Sequence, residues 1–195
     1  MSNLSTTSDD ILTCARSLIV AGGYNGFSYA DIAKVVGIRK ASIHHHFPTK
    51  VDLVRTLVTR YRNEAEMGLA SIASHESDAL KQLHLYVGYW ESCIASSNDP
   101  FCVCALLASQ LPVLPDEVAI EVKAHFRSLS AWLEEVLDKG ASQGQIRLSR
   151  TTKDEAEAFM ATVHGAMLSA RAYDDPKIFS SVTGSLMDRL AKPVG

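Results

Sequence analysis

Hydrophobic positions along the chain recur three and four residues apart, the spacing that gathers them on one face of an α-helix, and Ser, Thr, Asp, Gly and Pro punctuate them. In SDDILTCARSLIVAGG, Ile11, Leu12, Ala15, Leu18 and Ile19 make such a face. Ser8 can cap its start, Asp9 and Asp10 suit the positive end of the helix dipole, and Gly22-Gly23 stops it after about three turns. In FSYADIAKVVG, Ser28 and Asp31 have capping-box spacing, Ile32, Val35 and Val36 point inward, and Gly37 closes a very short helix. The stretch KASIHHHF predicts another short helix that ends before Pro48, because a residue preceding proline is pushed out of helical torsions. Two short helices joined by the glycine-containing turn Gly37-Ile38-Arg39 form a helix-turn-helix.

Beyond this point the helical period continues to the end. Thr49 caps a fourth helix with Asp52 in its first turn and Leu53, Leu57 and Tyr61 inward. Ser77 can cap a fifth, carrying Leu80, Leu83, Val87, Trp90 and Ile94 and terminated by SSNDP. A short apolar helix from Phe101 to Leu111 is stopped by Pro112. Pro115 then opens a helix with Val118, Val122, Phe126, Leu129, Leu133 and Val136, which runs to Gly140 and Gly144. Thr152 and Glu155 make a further capping-box pair for a helix to about Tyr173, and a last helix after Pro176 carries Phe179, Val182, Leu186 and Leu190. No strand alternation or internal repeat interrupts the pattern. The expected fold is all-α, with about nine helices: a three-helix N-terminal domain over residues 1–55 and a larger helical domain over residues 56–195.

Composition changes this picture little, and charge changes it more. With 195 residues, 47% hydrophobic and 21% charged, the chain is long enough to bury a sizeable core. No signal segment or membrane-length apolar run is present, and the four cysteines have no C-x-x-C pair, so a cytoplasmic protein with reduced thiols is expected. Through Tyr61 seven Lys and Arg oppose four acids, a balance of +3. The remainder carries −6, giving the formal net charge of −3. A basic head on an acidic body fits a polyanionic partner for the head alone.

The three consecutive histidines, His44, His45 and His46, invite a metal or catalytic reading. Neighbours on a helix point about 100° apart and cannot converge on one ion, and no Asp, Glu or Cys one turn away completes a site. No nucleophile or orienting carboxylate stands nearby either, so no metal, cofactor or catalytic residue is expected there. What remains is a short helix offering Lys40, Ser42, His44 and His45, with Arg39 before it and Lys50 after it. These groups can donate hydrogen bonds to phosphates and base edges.

The stretch GGYNGFSYADIAKVVGIRKASIHHHFPTKVDL, from Gly22 to Leu53, resembles the DNA-binding domain of TetR-type transcriptional regulators. Gly22, Gly23, Ser28 in place of threonine, Ile32, Ala33, Gly37, Ile38, His46, Phe47, Lys50 and Leu53 match the family's pattern. Arg39 stands where serine commonly caps the recognition helix, and His44 where tyrosine usually reaches a phosphate. The resemblance implies that Lys40 to His46 enters the major groove, that Ser28 and Lys50 grip flanking phosphates, that Arg39, Lys40, Ser42, His44 and His45 meet DNA, and that His46 and Phe47 seat the helix. It also implies a homodimer on an inverted-repeat operator, since one such helix reads too few base pairs.

For the body, the resemblance implies dimerisation through the last two helices and an inducer pocket whose occupation alters the separation of the two DNA-reading heads. Ala158, Thr162, Gly165 and Ser169 form a small-residue strip that suits close helix approach, joined by Val182 and Leu186 on the last helix. Candidate pocket residues are Trp90, Cys93, Phe101, Cys102, Phe126, Met160 and His164, a selection that favours a largely apolar small molecule. FCVCALLASQLPVLPDEV is similar to a segment of the TetR-type subgroup with a cysteine at the start of the sixth helix, some of whose members respond to electrophiles; Cys102 would be that thiol. The function expected is therefore a DNA-binding regulator, a repressor in the commoner case, released by a small-molecule or electrophile inducer. The alternatives are a small helical enzyme using His84, His125 or His164 with Glu91 or Glu121, and a regulator governed by a protein partner rather than a ligand.

Overall fold

The computed structural model describes residues 7–96 and 101–191, so most of the expected SSNDP stop lies outside the described residues. Among these are nine α-helices: α1 (Thr7–Gly22), α2 (Tyr29–Val36), α3 (Lys40–His46), α4 (Lys50–His75), α5 (Ala79–Ser96), α6 (Val103–Ala108), α7 (Asp116–Ser142), α8 (Thr152–Tyr173) and α9 (Lys177–Leu190). Short 3-10 turns lie at Tyr24–Gly26 and Leu111–Val113. Extended pairing among the described residues is confined to one isolated bridge, Ile146 with Ala191. The expected all-α class holds. No described helix is long and apolar enough to cross a membrane.

Contacts group the chain into two compact units. The first comprises Met1–Asn63 and Val103–His125, the second Glu64–Cys102 and Phe126–Gly195. In the first, the α1 stripe of Ile11, Ala15 and Ile19 is completely buried, as are Ile32 of α2, Ile43 of α3 and Leu53 and Val58 of α4. Two glycines in this unit are dictated by geometry. Gly23 has φ 74° and ψ −171°, a region open essentially to glycine alone, and a Cβ there would fall 2.1 Å from Gln110 Nε2. The Gln110 side chain comes this close because its Oε1 accepts from the Tyr24 amide at 2.8 Å. Gly37, at φ 76° and ψ 29°, is the left-handed C-cap of α2 and donates its N–H to the Ala33 carbonyl.

In the second unit α8 and α9 pack along each other, and α5 leans on α9. Their buried faces bring together Leu83, Phe159, Val163 and Phe179, with Leu133 and Leu137 of α7 also in the core. Glu155 is the charged residue buried here. It accepts from the Ser149 hydroxyl and amide and from Arg189.

Several sequence expectations shift. α1 begins at Thr7 and has 16 residues, so Ser8 lies inside it rather than at its cap. Val35 is exposed: Tyr29, Ile32, Ala33 and Val36 occupy the i, i+3, i+4, i+7 stripe of α2, and Val35 falls off it. Asp78, not Ser77, caps α5, its carboxylate accepting from the Lys81 amide and from Gln145. Thr151 with Asp154, one residue before the expected pair, caps α8, because Glu155 is drawn inward by Ser149 and Arg189. α6 is shorter than expected: Cys102 precedes it, and Pro112 sits in the following 3-10 turn.

Candidate functional site

The helix-turn-helix is held by bonds that its own residues make. The Ser28 hydroxyl accepts from the Ala30 amide and donates to Asp31, while the Asp31 carboxylate accepts from the Ser28 amide at 2.7 Å, closing the capping box of α2. The Asp31 carboxyl is held below its ordinary pKa by these Ser28 hydrogen bonds first, and by Lys34 in lesser part. Thr49 and Asp52 repeat the device at α4: the Asp52 carboxylate accepts from the Thr49 hydroxyl at 2.7 Å, and Thr49 Oγ1 accepts from the Asp52 amide.

Tyr29 fixes the angle between α2 and α3. Its buried hydroxyl donates to the Phe47 carbonyl at 2.8 Å, just where α3 ends, and its ring lies 4.7 Å from that of His44. Burial, then Asp52 and Tyr24, push its pKa up to about 12, so it stays a neutral donor. His44 Nδ1 lies 3.1 Å from the Pro48 carbonyl oxygen. A carbonyl only accepts, so Nδ1 carries the proton, and Nε2 is the ring nitrogen left for a phosphate or base.

The face of α3 is then clear. Arg39, Lys40, His44 and His45 are exposed and Ser42 is half-buried, the distribution expected of a reading helix anchored through buried Ile43 and Phe47. His46 is exposed as well, which corrects its expected seating role; Phe47 keeps that role. Arg39 is the N-cap of α3 but makes no side-chain cap bond. Lys50 turns inward instead of outward: its ammonium donates to the Phe27 carbonyl and lies 4.0 Å and 5.0 Å from the ring centroids of Phe27 and Tyr24. Burial lowers its pKa, partly offset by Asp31. In this conformation the Lys50 ammonium is engaged within the chain.

Of the residues expected to line a pocket, Trp90, Phe101, Cys102 and Met160 are buried, while Cys93, Phe126 and His164 are half-buried. The Phe126 and His164 rings sit 5.3 Å apart, and Arg171 stacks on Phe101. Cys102 is completely buried and stands just before α6, not in its first turn as expected. Tyr86 and Trp132 escape the sequence reading. Tyr86 lies one turn before Trp90 on the same face of α5, a spacing that could have flagged it, and its ring is 5.7 Å from Trp132 of α7 and 6.3 Å from Phe159 of α8. Nothing in the local pattern singles out Trp132.

On α8 and α9, Gly165 and Val182 are exposed, and Ala158, Thr162 and Ser169 are half-buried beside exposed Leu168. A Cβ at Gly165 or Gly184 would meet nothing within 4 Å. Leu186 is buried within the chain and so leaves the expected interface set. No group of three His, Cys, Asp or Glu among the described residues could hold a metal ion.

Comparison with known proteins places these features in a family. Residues 11–57 match the family model of bacterial regulatory proteins of the tetR family. Over 80 residues the chain is 30% identical to the HTH-type transcriptional regulator CymR of Pseudomonas putida; the alignment takes in 40% of this chain and 39% of that protein, so the chain spans well under half the length of this curated relative. Among solved structures, a TetR-family transcriptional regulator from Agrobacterium tumefaciens superposes with a TM-score of 0.93 and 60% identity, covering 95% of this chain and 97% of that one. A TetR transcriptional regulator from Legionella pneumophila gives 0.88 and 28% identity, covering 98% and 100%. The chain belongs to the TetR family of bacterial transcriptional regulators.

Proposed function

We propose that this protein is a cytoplasmic, homodimeric DNA-binding regulator that represses transcription by occupying an inverted-repeat operator and leaves it when a small molecule binds the body. The observation that carries the reading is the exposed polar face of α3, braced from behind by Tyr29, Ile43 and Phe47, in a chain 60% identical over nearly its whole length to a TetR-family regulator. Residues 1–55 act as the DNA-binding domain and residues 56–195 as the ligand-binding and dimerisation domain. Lys40, Ser42, His44 and His45 read base edges, and Arg39 and Ser28 contact the flanking backbone. α8 and α9 meet their counterparts in a second copy through Ala158, Thr162, Gly165, Ser169, Leu168 and Val182, since open space at Gly165 and Gly184 leaves room for a close approach.

Complete burial of Cys102 favours an inducer that binds without a covalent bond over one that reacts with this thiol. The experiment that tests the function is selection of random double-stranded DNA by the purified protein at a stated salt concentration. An enriched inverted repeat supports the reading. A folded protein that enriches no motif at low salt sinks it, and raises the partner-governed regulator and the enzyme in its place.

A further inference from the structure

Four buried side-chain polar atoms in the second unit have no hydrogen-bond partner of normal geometry among the described residues: the Tyr86 hydroxyl, Trp90 Nε1, Trp132 Nε1 and His164 Nε2. Tyr86 and Trp90 are themselves more than nine-tenths buried, at 5% and 6% exposure. Tyr86 is the hub: its ring lies against Trp132 and Phe159, Trp90 is near enough for a weak hydrogen bond to its hydroxyl, and Cys102 and Tyr89 are close enough to influence its ionisation. Burial and then Cys102 raise its pKa, so the hydroxyl is a neutral donor. A buried donor without a good acceptor costs free energy, and Tyr86 and its neighbours Trp90 and Trp132 bring three such donors together.

We infer that Tyr86, Trp90 and Trp132 form the recognition end of the ligand site, and that its ligand is a flat, uncharged molecule presenting a carbonyl-type oxygen to these donors. This rests on the ligand-responsive reading above. Aromatic rings from α5, α7 and α8 supply the faces for a planar body, and the donors demand an acceptor. Among the described residues, the side chains that stack on Tyr86 or influence its ionisation are Tyr89, Trp90, Cys102, Trp132 and Phe159, and none of these is a cation to neutralise a carboxylate. Burying an ion there would be costly, so the acceptor is neutral.

The test uses the full chain and three bicyclic probes of similar size: α-tetralone, with a neutral acceptor; tetralin, with none; and α-naphthoate, with a charged one. Trp90 and Trp132 are the protein's two tryptophans, so fluorescence reports directly on the site, with calorimetry as the second readout. The ketone should bind tightest, about tenfold or more ahead of tetralin, and Tyr86→Phe should shrink that ratio to about twofold. Tyr86→Phe should also leave the urea unfolding midpoint unchanged or raised, because it deletes a buried hydroxyl with no hydrogen bond of normal geometry. Equal binding of ketone and hydrocarbon, no binding of any probe, preference for the carboxylate, or a lowered midpoint in Tyr86→Phe each overturns the inference. DNA selection by the wild-type protein is read separately, so such a failure is distinguishable from failure of the regulator reading.

Discussion

The Lys50 ammonium donates to the carbonyl oxygen of Phe27, 23 residues earlier, and lies 4.0 Å from the centroid of that residue's ring. It therefore ties the start of α4 to the loop that leads into the Ser28 cap of α2. A lysine engaged in this way contributes to DNA binding by holding the reading head together, and a charge that stays on Phe27 displaces no counterion from DNA. Lys50→Met should lower stability by about 1–2 kcal/mol. It should leave the slope of log affinity against log salt unchanged; a slope smaller by about 1 per subunit would mean that Lys50 leaves Phe27 for a phosphate when DNA binds.

Tyr29→Phe removes the hydroxyl that reaches the Phe47 carbonyl and keeps the ring against His44. The expected loss is about 1 kcal/mol of stability, measured by urea unfolding. Because the bond sets how α3 projects from α2, selection of random DNA by this variant should enrich the wild-type motif less sharply. Unaltered enrichment and unaltered stability together would show that packing of Ile43 and Phe47 alone sets the angle.

Much of this head was legible in the sequence because its determinants are local. The Ser28–Asp31 spacing, Gly37 and Pro48 fix α2 and α3 within twenty-odd residues, and hydrophobic spacing alone places Ile32, Ile43 and Leu53 inside. What escaped depends on contacts distant in sequence. Nothing near Gly23 announces that Gln110, 86 residues beyond Tyr24, will occupy the space a Cβ would need. The expected Thr152–Glu155 pair obeyed the local rule and failed because Arg189, 34 residues on, together with Ser149, draws Glu155 into the core. Lys50 read as a phosphate ligand because its position matches the family pattern, while its two ring neighbours, Tyr24 and Phe27, became visible only once folded.

Glu155 gives the stability a defined dependence on acid. Burial raises its carboxyl pKa, but hydrogen bonds from Ser149 and then Arg189 outweigh it, and the net shift is downward from the ordinary 4.5. A folded-state pKa below the unfolded value means that the ionised form stabilises the fold. That contribution is complete above the unfolded pKa and is lost as pH falls through the folded one. Glu155→Gln should cost about 1–2 kcal/mol at neutral pH, and the gap between wild type and variant in urea unfolding should close below about pH 4.5. A gap independent of pH would assign Glu155 a packing role only.

Gly23→Ala tests the backbone rather than a contact. At φ 74° and ψ −171° an alanine is strained whatever space surrounds it, and here its methyl would also displace the Gln110 amide from the Tyr24 N–H. The expected cost is about 1–3 kcal/mol, and Gln110→Ala in the same background should recover little of it, since the torsional part remains. Recovery of most of the loss in the double variant would place the whole effect in the clash.

The dimer reading makes a prediction of opposite character, in which the protomer is indifferent and the assembly is not. Gly165 lies in the middle of α8 and is exposed, and a Cβ there meets no atom of its own chain within 4 Å. Nothing inside the subunit therefore requires glycine, and alanine, the better helix former, should raise protomer stability by up to about 1 kcal/mol. The larger Gly165→Arg should keep the helical circular dichroism and give a monomer by analytical ultracentrifugation, because a long charged side chain would occupy the approach that a second α8 needs. Loss of DNA binding should accompany it, since one half-site contact supplies too little affinity for an inverted repeat. A Gly165→Arg protein that remains dimeric would move the interface off this face of α8, and the exposed Leu168 and Val182 would then need another partner.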